Sequence, residues 1–317
     1  MDTTELKKLA NRTRSLREAG VALLLASGIL GLFYIVSPAR LKPSSSPASI
    51  VIATTTAPDA FARVPIEAKA AIVYDVSTHK VLYAKNASAQ LPLASLTKLL
   101  TMYAAFSEFS TSTPITIPAS VMGLSAPHAF QPGETFALAD LARITLTGSL
   151  NDGAAAIAQA TAEQEKLDIH QLLASVASAL NLSQTYALNG NGLDMTTAIS
   201  GGYGSAHDVA VLAGAFAALE PSVASATTHP IAQAFSAQGK LFTIHNTDPM
   251  VSNVPGLLLS KTGYTDLAGG NLVLVFNVGI EHPIAVVVLG STVKSRFTDG
   301  MALVDATFAH FAGVPSL

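Results

Sequence analysis

The stretch Pro92-Leu93-Ala94-Ser95-Leu96-Thr97-Lys98-Leu99-Leu100 places a serine and a lysine at the start of a long apolar run. Ser95 and Lys98 stand three residues apart, so on a helix they share one face and the amine can reach the hydroxyl. A serine beside a basic amine is typical of a nucleophile with its own general base. The first turn of such a helix also points backbone N–H groups toward a developing oxyanion.

The same Ser-x-x-Lys pattern occurs at Ser77/Lys80 and at Ser291/Lys294, so the spacing alone is weak. Ser77 and Lys80 lie in a polar turn between two β-like runs, where such residues need no chemical purpose. Ser291 follows a strand-like run. Only Ser95 precedes a long helical run, which makes Ser95 and Lys98 the candidate catalytic pair.

The composition excludes several classes of function. The chain has 317 residues, of which 50% are hydrophobic, enough for a sizeable core. A net charge of -3 with 12% charged residues gives no field that attracts nucleic acid. Cysteine is absent and the eight histidines are scattered singly, which argues against a metal site. No glycine-rich nucleotide motif is present, so we expect no cofactor.

The N-terminal region has the pattern of a membrane anchor. Residues 1–18 are rich in lysine and arginine, and residues 19–37 carry no charge. About 20 helical residues cover the ~30 Å hydrocarbon layer, whereas a cleaved signal peptide usually has a core of about 7–15 residues. We therefore predict a single-pass anchor in the cell membrane at 19–37, with the N-terminus cytoplasmic and the remainder extracytoplasmic.

Residues 38–63 are rich in Pro, Ser and Thr and predict a linker. The catalytic domain is then 64–317. Within it, β-like runs at 70–75 and 81–84 predict a hairpin, and helical periodicity follows at 96–108, 138–147, 151–163, 168–180 and 206–219. Strand patterns return at 257–262, 271–277 and 284–289, before a closing helix at 296–311. This order predicts an α+β fold whose antiparallel sheet of about five strands comes from both chain ends, with a helical insert.

Two further motifs accompany the Ser95 pair. Ser149-Leu150-Asn151 is the single Ser-x-Asn of the chain, and Lys261-Thr262-Gly263 is the single Lys-Thr-Gly. Taken separately, each has a simpler interpretation: Ser149 or Asn151 as a helix cap, and Lys261-Thr262-Gly263 as the end of an edge strand.

Together, Ser-x-x-Lys, Ser-x-Asn and Lys-Thr-Gly in this order resemble the penicillin-recognising serine acyl-transferases. Within them the chain is most similar to the D-alanyl-D-alanine carboxypeptidases, the low-molecular-mass penicillin-binding proteins, over residues 65–312. The stretches around Asn189-Gly190-Asn191-Gly192 and Ser205-Ala206-His207-Asp208 also read like that family. The resemblance implies a β-lactamase/transpeptidase-like fold, removal of the terminal D-Ala from peptidoglycan stem pentapeptides through an acyl-enzyme, and covalent inhibition by β-lactams.

The chemistry of the pair sets a condition on Lys98. Ser95 Oγ would attack a peptide carbonyl while its proton passes to Lys98, which must be uncharged. Deprotonating an ordinary lysine at pH 7 costs about 4–5 kcal/mol, so burial and a second cation must offset this cost. Lys261 is the candidate cation.

The resemblance assigns the remaining roles. Ser149 and Asn151 would pass a proton to the leaving amine and hold the substrate amide. Lys261 and Thr262 would bind the terminal carboxylate, and Gly263 would leave room for the peptide to lie along the strand. The backbone N–H of Tyr264 would join that of Ser95 in binding the oxyanion.

The sequence leaves open the role of Arg296 and the width of the cleft beside Leu150. Arg296 is either a further carboxylate-binding residue or a surface charge at the start of a helix. Leu150 is bulkier than the Gly or Ala usual at that motif position, which leaves the width of that side of the cleft open.

Three alternatives remain at this stage. A D,D-endopeptidase that cuts peptidoglycan crosslinks would use the same chemistry on another leaving group. A class A β-lactamase needs a glutamate that activates water, and Glu163 and Glu165 come too early in the sequence for that role. A catalytically inert wall-binding protein would have no need of a buried amine.

Overall fold

A computed structural model of the chain describes residues 59–314. The strands are β1 (Ala70–Asp75), β2 (Lys80–Lys85), β3 (Leu91–Pro92), β4 (Pro114–Thr116), β5 (Thr135–Ala137), β6 (Tyr186–Ala187), β7 (Gly202–Gly204), β8 (Ile231–Phe235), β9 (Leu241–His245), β10 (Leu257–Thr265), β11 (Gly269–Asn277) and β12 (Pro283–Ser291). The helices are α1 (Thr97–Glu108), α2 (Leu138–Gly148), α3 (Asn151–Glu165), α4 (Ile169–Ala179), α5 (Ala206–Leu219), α6 (Pro221–Ala226) and α7 (Ser295–Ala312).

The predicted anchor at 19–37 and most of the predicted linker lie outside the described residues. Between 59 and 314, no helix combines the length and the apolar character needed to cross a bilayer. The last residues assigned to the linker belong to the packed structure, because Phe61 is buried and its ring lies 5.7 Å from that of Tyr83.

The main sheet has five antiparallel strands in the order β10-β11-β12-β1-β2. It joins the first two strands of the domain to the last three. All six residues of β1 pair with β12, from Ala70 opposite Leu289 to Asp75 opposite Ile284. The α+β fold, the five-stranded antiparallel sheet and its origin from both ends of the domain are as predicted. Strand β10 lies at an edge, so within the described part of the chain one side of it has no neighbouring strand.

Alternating side chains place a hydrophobic core on each face of the sheet. On one face Val273, Val275 and Val287 pack against the helical insert. On the other face, buried residues of the same strands such as Leu274 and Val286 form a second core under α7. Because both faces are covered, β1, β11 and β12 read as nearly continuous apolar runs.

Helix α1 lies inside the helical layer. Residues 97–102 are all buried, and the helix packs against α3, α4 and α5. A helix that is apolar around most of its circumference is buried, which places its first turn in a low-dielectric environment.

The sequence left residues 221–256 without a predicted structure. They form α6 and the hairpin β8–β9, which packs on α2. On β8, Ala232 and Ala234 face the core, whereas Ile231, Gln233 and Phe235 are exposed. Because Ile231 and Phe235 are apolar, β8 lacks the clear alternation of apolar and polar residues that marks a half-buried strand. The sequence therefore does not predict this hairpin.

Candidate active site

A sharp turn before α1 presents Ser95. Ala94 has a positive φ of 49°, and Ala94–Leu96 form a single 3-10 turn that leads into the helix. Asn271 of β11 holds this turn, since its side-chain amide donates to the carbonyls of Pro92 and Leu93 at 3.0 and 3.1 Å. Ser95 therefore lies on a bend that is hydrogen-bonded to the sheet.

Lys98 is completely buried behind Ser95. Its Nζ lies 2.7 Å from Ser95 Oγ, 2.8 Å from Asn151 Oδ1 and 2.7 Å from the backbone carbonyl oxygen of Asn191. Burial lowers the pKa of Lys98 well below its usual value, and the charge of Lys261 lowers it further, while Asp152 opposes the shift. The local chemistry thus favours the neutral amine.

Ser149 and Asn151 lie at the junction of α2 and α3. Ser149 adopts the left-handed conformation at the C-terminus of α2, and Asn151 is the first residue of α3. The alternative interpretation of Ser149 or Asn151 as a helix cap does not hold, because Leu150 is the N-cap of α3 and no side chain caps that end. The Asn151 amide donates to the carbonyl of Ser125, 2.9 Å away. Leu150 points into the core and is 4% exposed, so its bulk lies away from the cleft.

Lys261 is also buried, in the middle of β10. Its Nζ donates to Ser149 Oγ and to the carbonyl of Thr262, each at 2.8 Å. Burial and the neighbouring Arg296 lower the pKa of Lys261 to about 7, and Asp248 opposes the shift. Strand β10 extends three residues beyond the predicted end at 262, so Gly263 and Tyr264 are part of it.

Gly263 has no side chain, and this allows β10 to lie close to the backbone of Ser95. A Cβ at this position would lie 2.9 Å from the Leu93 carbonyl oxygen and 3.3 Å from the Ser95 backbone nitrogen. Tyr264 follows it, with half of its surface exposed. The backbone of Ser95 and the edge of β10 are therefore close neighbours.

Arg296 lies at the start of α7 and is 8% exposed, which rules out the interpretation as a surface charge. Its Nη1 donates to the carbonyl of Gly263 at 2.7 Å. Its Nε is buried and has no hydrogen-bond partner among the described residues. Burial lowers the pKa of this guanidinium, and Asp248 opposes the shift. A partly satisfied cation therefore lies beside the Lys-Thr-Gly strand.

The other two Ser-x-x-Lys pairs do not form a site. Ser77 and Lys80 are both exposed. Ser291 donates to Asp299 at 2.7 Å, while Lys294 is exposed. Of the three pairs, all within the described residues, Ser95 and Lys98 alone have their side chains in hydrogen-bond contact.

The structure adds residues that sequence reasoning missed. Asn191 and Ser125 contribute backbone carbonyls, and Asp152 holds the 129–130 segment by accepting from two of its N–H groups. Backbone acceptors leave no residue-type signal. Asn191 did lie in a stretch that resembles the family, which is the signal that could have indicated it.

A cavity of about 640 Å³ lies near the candidate pair Ser95 and Lys98. Its lining includes Ser125, Asn191 and Tyr264. Two of these residues hold Asn151 and Lys98 through their carbonyls. The cavity therefore borders the residues whose carbonyls hold Asn151 and Lys98.

Residues 53–292 match the Peptidase S11 family, described as D-alanyl-D-alanine carboxypeptidase. The chain is 28% identical to the D-alanyl-D-alanine carboxypeptidase DacF of Bacillus subtilis, over 84% of this chain and 70% of the relative. It is 26% identical to a D-alanyl-D-alanine endopeptidase of Pseudomonas aeruginosa, over 80% of this chain and 83% of the relative.

The fold matches that of penicillin-binding protein D2 of Listeria monocytogenes in its ampicillin-bound form. The TM-score is 0.66, with 24% identity over 78% of this chain and 99% of the other.

The fold and the three motifs define a serine hydrolase of the penicillin-binding type. The chain belongs to the Peptidase S11 family of D-alanyl-D-alanine carboxypeptidases, which confirms the resemblance drawn from the motifs. It spans 70% of the length of the Bacillus relative and 63% of the length of the Escherichia coli carboxypeptidase DacA.

Proposed function

We propose that the chain is a serine D,D-carboxypeptidase that removes the terminal D-Ala from peptidoglycan stem pentapeptides through an acyl-enzyme. The observation that carries this proposal is the environment of the Lys98 amine. Two of its three neighbours are carbonyl oxygens, which only accept, and the third is the Ser95 hydroxyl, which can donate. A neutral amine, with two protons and one lone pair, fits this arrangement.

In the acylation step, the lone pair of Lys98 takes the Ser95 proton while Oγ bonds to the peptide carbonyl carbon. The oxyanion that forms is bound by the backbone N–H groups of Ser95 and Tyr264. As the C–N bond to the terminal D-Ala breaks, the proton that Lys98 took from Ser95 passes through the Ser149 hydroxyl to the departing amine, which leaves Lys98 neutral again. Ser149 is suited to this relay, because Lys261 lies 2.8 Å from its hydroxyl.

The terminal carboxylate binds between Lys261, Thr262 and Arg296. Two cations and a hydroxyl there suit a planar anion. This carboxylate requirement favours a substrate cut at its free C-terminus. In the second step, Lys98 takes a proton from water as the water oxygen bonds to the acyl carbon. The bond from that carbon to Ser95 Oγ then breaks, Lys98 returns the proton to Oγ, and the shortened peptide leaves as a carboxylic acid.

A fluorescent penicillin and a pentapeptide ending in D-Ala-D-Ala test this assignment. We expect penicillin to label the intact chain and to label Ser77→Ala and Ser291→Ala equally, while Ser95→Ala stays unlabelled. Released D-Ala from the pentapeptide is the expected product. Labelling that survives in Ser95→Ala would contradict the proposal, and so would a labelled wild-type chain that releases no D-Ala.

A D,D-endopeptidase is the second candidate, because a relative of that name covers most of this chain at a similar identity. Its leaving group is the side-chain amine of a crosslinked peptide. Crosslinked dimers incubated beside the pentapeptide discriminate the two activities. Faster cleavage of the dimer would favour the endopeptidase.

The N-terminal sequence supports attachment to the cell membrane, with residues 19–37 as a single-pass anchor and the domain on the extracytoplasmic side. The charge-free run and the basic residues before it carry this part of the proposal. We expect the full chain to remain with membranes after an alkaline wash, and a chain lacking residues 1–37 to be released.

A further inference from the structure

The hydroxyl of Thr247 lies 2.7 Å from that of Thr262, the threonine of the Lys-Thr-Gly motif. Thr247 belongs to none of the three motifs. It follows strand β9 and comes from a hairpin that the sequence did not predict. Its contact with the motif therefore has no place in the mechanism described above.

The backbone around Thr247 is fixed on several sides. Its N–H donates to the carbonyl of Thr147 at 3.1 Å, two residues before Ser149. The preceding Asn246 donates its side-chain amide to the carbonyls of Thr227 and His229. The following Asp248 is buried and accepts from Ser260 Oγ at 2.6 Å. Thr247 thus ties the end of α2 to the Lys-Thr-Gly strand.

The two hydroxyls share one hydrogen bond, and among the described residues neither side chain has another partner. Each hydroxyl has one proton, so one proton joins the pair and one remains available. A substrate carboxylate accepts only. When it binds Thr262, the Thr262 proton must point to it, and the Thr262 oxygen is then free to accept from Thr247.

We propose that Thr247 is a positioning residue for the terminal carboxylate. It donates to Thr262 and so directs the Thr262 proton toward the substrate. Successive hydrogen bonds in a low-dielectric site strengthen one another, and a donor to a charged group gains most. The inference rests on the proposed function, because it assigns the carboxylate to Thr262.

The test uses the full chain and two acylating compounds, benzylpenicillin and its methyl ester, which lacks the negative charge. We expect Thr247→Val to slow acylation by benzylpenicillin about tenfold and acylation by the ester less than about twofold. Thr247→Ser keeps the donor and should acylate at nearly the wild-type rate with both compounds.

Thr243→Val is the matched control, because Thr243 lies on the exposed side of β9 and contacts Gln233. It should leave both rates unchanged. Equal slowing of both compounds by Thr247→Val would assign Thr247 a structural role only, and no slowing of either would also overturn the proposal. A wild-type chain that reacts with neither compound would instead overturn the proposed function itself.

Discussion

Lys98 and Lys261 hold the two ends of one three-residue segment. Lys98 donates to Asn151 Oδ1 and Lys261 donates to Ser149 Oγ, each at 2.8 Å. Both amines are buried, so the charge of one is felt strongly by the other. The pKa of Lys98, beside Ser95, is lowered by burial and further by the charge of Lys261.

The pH dependence of kcat/KM should report both lysines. The proposed mechanism needs Lys98 neutral in the free enzyme, so we expect activity to rise with pH through the lowered pKa of Lys98. It also needs Lys261 charged, so activity falls as pH rises through about 7, the pKa of Lys261. We expect a bell-shaped profile in D-Ala release, measured at constant ionic strength between about pH 5 and 9.

A bound carboxylate stabilises the Lys261 cation, so the alkaline limb of kcat should lie at higher pH than that of kcat/KM. A value of kcat/KM that still increases at pH 9 would show that the Lys261 charge is not required.

Removal of the second cation should move the acid limb. In Lys261→Met the positive charge that lowers the pKa of Lys98 is gone, so that pKa rises. We expect the acid limb of penicillin acylation to shift to higher pH, together with a large loss of rate. Lys240→Met is the control, since Lys240 is an exposed residue paired with Glu134. An unshifted acid limb in Lys261→Met would show that the charge of Lys261 does not affect the pKa of Lys98.

The sequence predicted the helices and the sheet closely because periodicity and length reflect burial directly. Helix α5 begins and ends as expected, at Ala206 and Leu219. The hairpin β8–β9 was not predicted because exposed apolar residues such as Ile231, Phe235 and Leu241 obscure its alternation. In the site, the three motifs predicted which side chains come together. The contacts of the Asn191 carbonyl and the Thr247 hydroxyl were not predicted, because they join residues that are far apart in the sequence and meet only in the folded chain.

Gly192 shows how backbone packing near the nucleophile restricts the sequence. It has a φ of +79°, and a Cβ there would lie 1.9 Å from the carbonyl oxygen of Ala94. Gly239 has a φ of +81° but nothing within 4 Å of its Cβ position. Both alanine variants carry the backbone strain of about 1–2 kcal/mol, and Gly192→Ala adds a clash of about 1–3 kcal/mol.

We therefore expect Gly192→Ala to lower the free energy of unfolding in urea clearly more than Gly239→Ala, and to slow acylation, because Ala94 precedes Ser95. Equal losses of stability in the two variants would mean that the loop at 192 adjusts freely and does not support the nucleophile.

Asn271 links the nucleophile to the central sheet and gives the last test. It is fully buried, donates to the carbonyls of Pro92 and Leu93, and accepts from the N–H of Gly290 at 2.8 Å. Asn271→Ala removes these three hydrogen bonds, and the Leu93 carbonyl keeps its bond from the N–H of Leu96 at 3.2 Å. Each buried group that is left without a partner costs about 1–3 kcal/mol. Gln90→Ala is the comparison, because the Gln90 amide makes one exposed bond to the carbonyl of Gln184. We expect Asn271→Ala to lower the free energy of unfolding by several times more than Gln90→Ala. It should also slow penicillin acylation at temperatures where the chain is still folded, because the turn before Ser95 loses its attachment. Normal acylation by a destabilised Asn271→Ala would show that the turn holds its shape without the sheet.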